Sequence, residues 1–237
     1  MKLHVVTVLS LVFGLAIVGG DAPVRGEDGK SDKPRVLILG DSISIGYMPT
    51  VKELLKDEAV VMRPMKNEEN PENCQGTNNG VKHIDRWLKI DGGNWDVIHF
   101  NFGLHDLKRV DFQTGKNSND SDDPHQASPE EYEKQLREIV GKLKETGAKL
   151  IFATTTPVPP GGVKPHRDVE DPVLYNTLAV KVMEENDIAV NDLFALAEPR
   201  LDEIQRPVNV HFTPEGSELL GEQVAAKIRE ALSEEAK

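Results

Sequence analysis

One cysteine in 237 residues, Cys74, excludes an intramolecular disulfide. Stability has to come from a packed core, and a chain of this length buries about 70% of its unfolded surface without covalent staples. Aromatic residues make up only 5% of the chain, which argues against a broad lipid-binding surface. Positive charge is also short: 28 Lys and Arg stand against 40 Asp and Glu, a net charge of -12. The resulting field repels phosphate backbones and anionic headgroups and argues against nucleic acid as a partner. What is present, 38% hydrophobic and 29% charged residues, belongs to an ordinary globular domain.

The one long apolar run, residues 5–18, is shorter than the ~20 residues that a spanning helix needs. Lys2 precedes it, and Gly19-Gly20 or Val24-Arg25-Gly26 offer small-residue cleavage positions after it. The pattern reads as a signal peptide over 1–26, with an uncleaved anchor as the alternative. A polar tether over 27–34 then leads to one domain over 35–237. The expected location is secreted or periplasmic, with no membrane association once the signal is removed.

Within that domain, short apolar runs alternate with helical periodicity. Val36 to Leu39 is wholly apolar, as in a strand buried on both faces of a parallel sheet, and stops at Gly40-Asp41-Ser42. Ile45, Met48, Val51, Leu54 and Leu55 then recur at helical spacing. Further strands are expected at 59–62, 95–102, 149–154 and 188–190, with helices at 81–90, 172–185 and 214–232. The helix ending at Gly147 has the best local signature, with Ser128 as N-cap, Pro129 at the first helical position and Glu131 closing a capping box. Gly80 reads as the start of the second helix. Five strands separated by helices predict a three-layer α/β/α sandwich with a mostly parallel sheet.

In such sheets ligands bind beyond the carboxyl ends of the strands. Ser42 stands where the first strand turns into a helix, a placement that suits a nucleophile whose reaction builds an oxyanion, although Asp41 or Ser42 could simply cap the helix. His211 lies in Val210-His211-Phe212-Thr213-Pro214, at a polar junction before the last helix. A serine needs a base to take its proton, and the ordinary histidine pKa of about 6.5 fits that work. The other histidines fall in less suitable places: His4 in the apolar leader, His83 in a helix, His99 in mid-strand, His125 and His166 in Pro-flanked loops. Cys74 without a matching histidine motif reads as a small loop residue.

At this point the sequence resembles the SGNH, or GDSL, hydrolases. Ile38-Leu39-Gly40-Asp41-Ser42 is similar to the family's first block, Gly103-Leu104-His105-Asp106 to its third and the His211 segment to its last. The resemblance covers most of residues 35–234 and implies a flavodoxin-like sandwich, ester hydrolysis and no metal or organic cofactor. It also implies a catalytic Ser42 and His211, with an oxyanion held by the Ser42 amide, a second-block amide and the third-block side chain. Gly76 is the choice for the second block, with Cys74 and Gln75 left open. His105 stands where the family has Asn, and a neutral imidazole can donate one N–H in the same way; a structural role, or metal ligation beside Asp106, is the alternative. The family's acid lies three residues before the histidine, where this chain has Val208. Asn209 could orient His211 through its amide oxygen, and a backbone carbonyl or Asp202 could support it instead.

Two long loops, 109–127 and 156–171, follow strands at the site end, and neither contains the apolar run of a lipase lid. The expectation is therefore a serine esterase for a short acyl group, acetyl above all, on a small molecule or carbohydrate. The alternatives are a catalytically impaired SGNH-like carbohydrate-binding protein and a metal-dependent phosphoesterase using Asp41, His105, Asp106 and His211. Asn119 to Asp123 could hold calcium but lacks a full ligand loop and reads as a solvated turn.

Overall fold

The computed structural model describes residues 32–234, so the signal-peptide reading and most of the tether lie outside the described residues. Five strands form one sheet: β1 (Arg35–Leu39), β2 (Val60–Met62), β3 (Val97–Phe100), β4 (Lys149–Ala153) and β5 (Ala189–Asn191). Their order is β2-β1-β3-β4-β5 and every pairing is parallel. Val36, Leu37, Ile38, Leu39, Val97, Ile98 and Phe100 are fully buried, which is why these segments read as continuous apolar runs rather than alternating ones.

Helices cover both faces. α1 (Ser42–Leu55) packs on α7 (Pro214–Ser233), while α2 (Thr77–Trp87), α3 (Pro129–Lys144) and α4 (Asp171–Glu184) pack in succession. The α1–α7 contact is backbone-close: a Cβ on Gly221 would lie 2.7 Å from Thr50 Cβ and 3.0 Å from the Tyr47 carbonyl oxygen. At α3 the N-cap half of the capping box forms, with Ser128 Oγ accepting from the Glu131 amide, while the Glu131 carboxylate accepts from Gln135 Nε2.

α2 starts earlier than its periodicity indicates. Gly76 is its N-cap and Thr77 its first residue, so Gly80 lies inside the helix rather than at its start. Gly76 has no side chain to cap with, and the cap comes from Asp106, whose Oδ1 accepts from the Thr77 amide at 2.8 Å. Two short helices, α5 (Leu193–Ala197) and α6 (Leu201–Ile204), were not expected, being too short to show a period. The strand order reverses at β1 and β3, which opens a crevice beyond their carboxyl ends. Ser42 follows β1 and Gly103 to Asp106 follow β3, so the first and third sequence blocks meet there.

Candidate active site

Ser42 is the first residue of α1, and Asp41 rather than Ser42 caps that helix: its Oδ1 accepts from the Ile43 amide at 2.9 Å. The Ser42 hydroxyl is thus free of capping. Arg63 braces the turn from beneath, donating to Ser44 Oγ, to the Gly40 carbonyl and to the Glu72 carbonyl. Burial raises the Asp41 carboxyl pKa, partly offset by the Ile43 amide and by the nearby Arg167, His211 and Arg63 charges.

His211 is brought to Ser42 by a pinned loop. The Arg206 amide donates to the His211 carbonyl, the Thr213 amide to the Ile204 carbonyl, and Gln205 Nε2 to the Pro157 and Val210 carbonyls. His211 Nε2 lies 2.8 Å from Ser42 Oγ, and His211 Nδ1 lies 2.8 Å from Asn209 Oδ1. The same Asn209 oxygen accepts from the His211 backbone amide at 2.9 Å. That second bond decides the proton positions. A backbone N–H can only donate, so the Asn209 atom facing it is the oxygen, and His211 Nδ1 must then be the donor. The neutral ring therefore carries its proton on Nδ1 and presents a bare Nε2 to the serine hydroxyl. An amide in place of a carboxylate can impose the wrong tautomer; here the backbone holds the amide the right way round.

Val208, three residues before His211, is 50% exposed at φ +51 and does not take the acid position. The Asn209 amide donates to the Arg206 carbonyl, closing a turn over Pro207-Val208 whose third position needs positive φ. A β-branched residue is strained there, and the turn delivers Asn209 to the ring. Asp202 is exposed on α6 and makes no bond to His211 among the described residues.

The three second-block amides, of Cys74, Gln75 and Gly76, differ in whether they already have acceptors. The Cys74 amide donates to the Gly40 carbonyl and the Gln75 amide to Asn73 Oδ1. The Gly76 and Ser42 amides have no acceptor among the described residues. A Cβ on Gly76 would lie 2.6 Å from Asp106 Oδ1, so only glycine fits against that carboxyl. Asp106 also accepts from the Thr77 hydroxyl, and burial pushes its pKa up to about 7. Asp106 therefore ties the third block to the start of α2. Cys74 is buried, which pushes its thiol up to about 12, as suits a small loop residue rather than a nucleophile.

His105 is neutral at working pH, because burial, aided by the Lys108, Arg167 and His211 charges, lowers its pKa to about 3. Its Nδ1 is sealed from solvent with no partner, while Nε2 is not sealed. A buried orphan acceptor costs less than a buried orphan N–H, so the proton belongs on Nε2.

The four side chains of the metal reading are engaged separately: Asp41 at Ile43, Asp106 at Thr77, His211 between Ser42 and Asn209, and His105 alone. Among the described residues, the one group with three ligand atoms close together is His125, Asp168 and Asp171. Arg109 already neutralises it, pairing with Asp168, while His125 Nε2 bonds Asp171 at 2.7 Å and His166 Nε2 bonds Asp168 at 3.0 Å. This network clasps the two long loops to each other. In 119–123 the Asp122 amide turns back on Asp120 Oδ1, and the Asp123 carbonyl accepts from Arg109 Nη1.

Arg167 was missed in the sequence, where a cation among prolines and glycines reads as solvated. It is 6% exposed and its Nε donates to the Leu104 carbonyl at 2.8 Å, beside His105.

The GDSL-like lipase/acylhydrolase family matches residues 38–219 of this chain. No curated protein matches it. Among solved structures, the lipase/acylhydrolase from Enterococcus faecalis superposes with a TM-score of 0.65 at 20% identity, covering 83% of this chain and 96% of that one. A catalytic mutant of an acetylxylan esterase from Geobacillus stearothermophilus gives 0.63 at 17% identity, covering 82% and 94%. A carbohydrate esterase family 3 structure from Talaromyces cellulolyticus gives 0.59 at 15%, covering 83% and 97%. A family match over residues 38–219, most of the domain, together with a doubly wound parallel sheet, places this chain among the ester hydrolases of the GDSL-like lipase/acylhydrolase family.

Proposed function

We propose that the protein is a secreted serine esterase removing short acyl groups, acetyl above all, from carbohydrate alcohols. The Ser42–His211–Asn209 chain of hydrogen bonds carries this reading. His211 Nε2 takes the hydroxyl proton as Ser42 Oγ bonds to the ester carbonyl carbon, and the carbonyl π electrons move onto oxygen. The Ser42 amide, the Gly76 amide and His105 Nε2–H are the donors available to that oxyanion. On collapse the leaving alkoxide takes the proton from His211, giving the alcohol and an acyl-serine. Water, deprotonated by the same nitrogen, attacks the acyl carbon and releases the acid and free Ser42.

The small-acyl preference rests on the scarcity of aromatics and the absence of an apolar lid run. The acetylxylan esterase among the fold neighbours agrees with a carbohydrate alcohol. Export rests on the residue 1–26 pattern. Hydrolysis of para-nitrophenyl acetate, butyrate and octanoate by residues 27–237 tests the reading: acetate is expected to be preferred, and an octanoate preference would refute the short-acyl assignment.

The same assay gives a pH expectation. Burial lowers the His211 pKa below the ordinary 6.5, with the Asp41 charge opposing. The protonated ring has no lone pair for the serine proton, so kcat/KM should fall as pH drops, with a midpoint below about 6.5. His105, at about 3, adds no limb in the accessible range. A midpoint above neutrality would contradict the assignment of His211 as base.

A further inference from the structure

Two cations stand beside the third block with no ion-pair partner among the described residues. Arg167 is 6% exposed and Lys108 8%, in a chain with a large acidic excess. Arg167 uses Nε on the Leu104 carbonyl and Nη1 on the Pro165 carbonyl. Its Nη2 has no acceptor among the described residues and is not sealed from solvent, and the same holds for Lys108 Nζ. The carboxylates that act on them through space are anchored elsewhere by one oxygen each, Asp41 Oδ1 on the Ile43 amide and Asp106 Oδ1 on Thr77, and Asp106 Oδ2 is sealed from solvent without a partner. Neither forms an ion pair with Arg167 or Lys108. Arg109, by contrast, pairs with Asp168, and Arg63 spends both terminal nitrogens, on Ser44 Oγ and on the Gly40 and Glu72 carbonyls.

Holding two buried like charges without a direct ion pair is costly, and burial lowers both pKa values, Arg167 to about 10, against the opposing pull of the Asp41 and Asp106 charges. Arg167 is anchored on the Leu104 carbonyl, next to His105, and Lys108 follows the Gly103–Leu107 turn that carries His105, so both cations stand beside the third block, and their charge is felt at His105. A substrate anion placed there would meet two charge-assisted donors without leaving the crevice.

We infer that the natural ester carries a carboxylate, held by Arg167 Nη2 and Lys108 Nζ beside the scissile bond. The inference rests on the esterase reading and narrows it to an acidic substrate, such as an acetylated uronic acid. Acid-sugar and acidic-acyl sources share this chemistry and are separated by two matched pairs. The first compares O-acetylated methyl galacturonoside with O-acetylated methyl galactoside; the second, the para-nitrophenyl monoester of adipic acid with para-nitrophenyl hexanoate.

The charged member of one pair should show a kcat/KM about tenfold or more above its neutral counterpart, the size of one charge-assisted hydrogen bond. Lys108→Gln and Arg167→Gln should each bring that ratio towards one, and Arg167→Lys should keep part of it. The ratio is internal to each variant, so a general loss of activity does not mimic the effect. If neither charged ester is preferred, or both Gln variants keep the ratio, the carboxylate site is refuted while the esterase stands. If no ester at all is turned over and Ser42 resists a phosphonate, the esterase reading fails instead. In that case thermal stabilisation by free galacturonate but not by galactose would still support the anion site, and equal stabilisation by both would overturn it.

Discussion

Replacing His211 by Ala should lower kcat for para-nitrophenyl acetate by about 10⁴–10⁶-fold while leaving the protein folded. The expectation follows from one contact. The 2.8 Å bond from Nε2 to Ser42 Oγ is the only base contact available to the serine hydroxyl among the described residues. Without it the hydroxyl keeps its proton and is a poor nucleophile at neutral pH. Ser42→Ala should cost as much, and the double variant no more than either single change, because the two groups act as one unit. Additive losses in the double variant would show that they do not share a step. Circular dichroism is expected to change little, since Ser42 caps nothing and the His211 loop is held by Gln205 and Arg206.

The second large effect concerns Asn209. Asn209→Leu removes the acceptor from His211 Nδ1–H and lets the ring flip or change tautomer. Loss of the correct tautomer costs about 10²–10⁴-fold in kcat. Asn209→Asp keeps the acceptor oxygen and adds charge. It should retain or raise the plateau rate and move the acidic limb upward by about one pH unit or more, because a neighbouring carboxylate favours the imidazolium. The pair separates positioning from folding: a structural role would not move the pH limb. An Asp variant as inactive as the Leu variant would contradict the orientation of Asn209 inferred from the His211 amide.

Much of this was legible in the sequence because the decisive signals are local. A fully buried parallel strand announces itself as an unbroken apolar run, as Val36 to Leu39 do, and a capping box is written in four residues, as at Ser128. The Ser42 and His211 positions follow from the same logic, each lying at an element junction on the site end of the sheet. Contacts across the chain were not legible. The cap of α2 is supplied by Asp106, 29 residues away, so nothing near Gly76 marks the true helix start. That the Gly76 amide is left without an acceptor while those of Cys74 and Gln75 are engaged depends on the Gly40 carbonyl and Asn73, which take the other two. Val208 looked like a missing acid; the positive-φ turn instead shifts the supporting side chain by one residue, to Asn209. Arg167 gave no sign at all, because burial of a loop cation depends on a carbonyl, that of Leu104, 63 residues earlier.

The central claim, that Ser42 is the nucleophile and His211 its base, is tested most directly by covalent trapping. Residues 27–237 are treated with a fluorescent alkyl fluorophosphonate, and the labelled peptide is identified by mass spectrometry. One phosphonyl group per chain on Ser42, abolished in His211→Ala and matched by loss of acetate hydrolysis, is the predicted result. Hydrolysis that persists with Ser42 unlabelled, or label on any other residue, would contradict it.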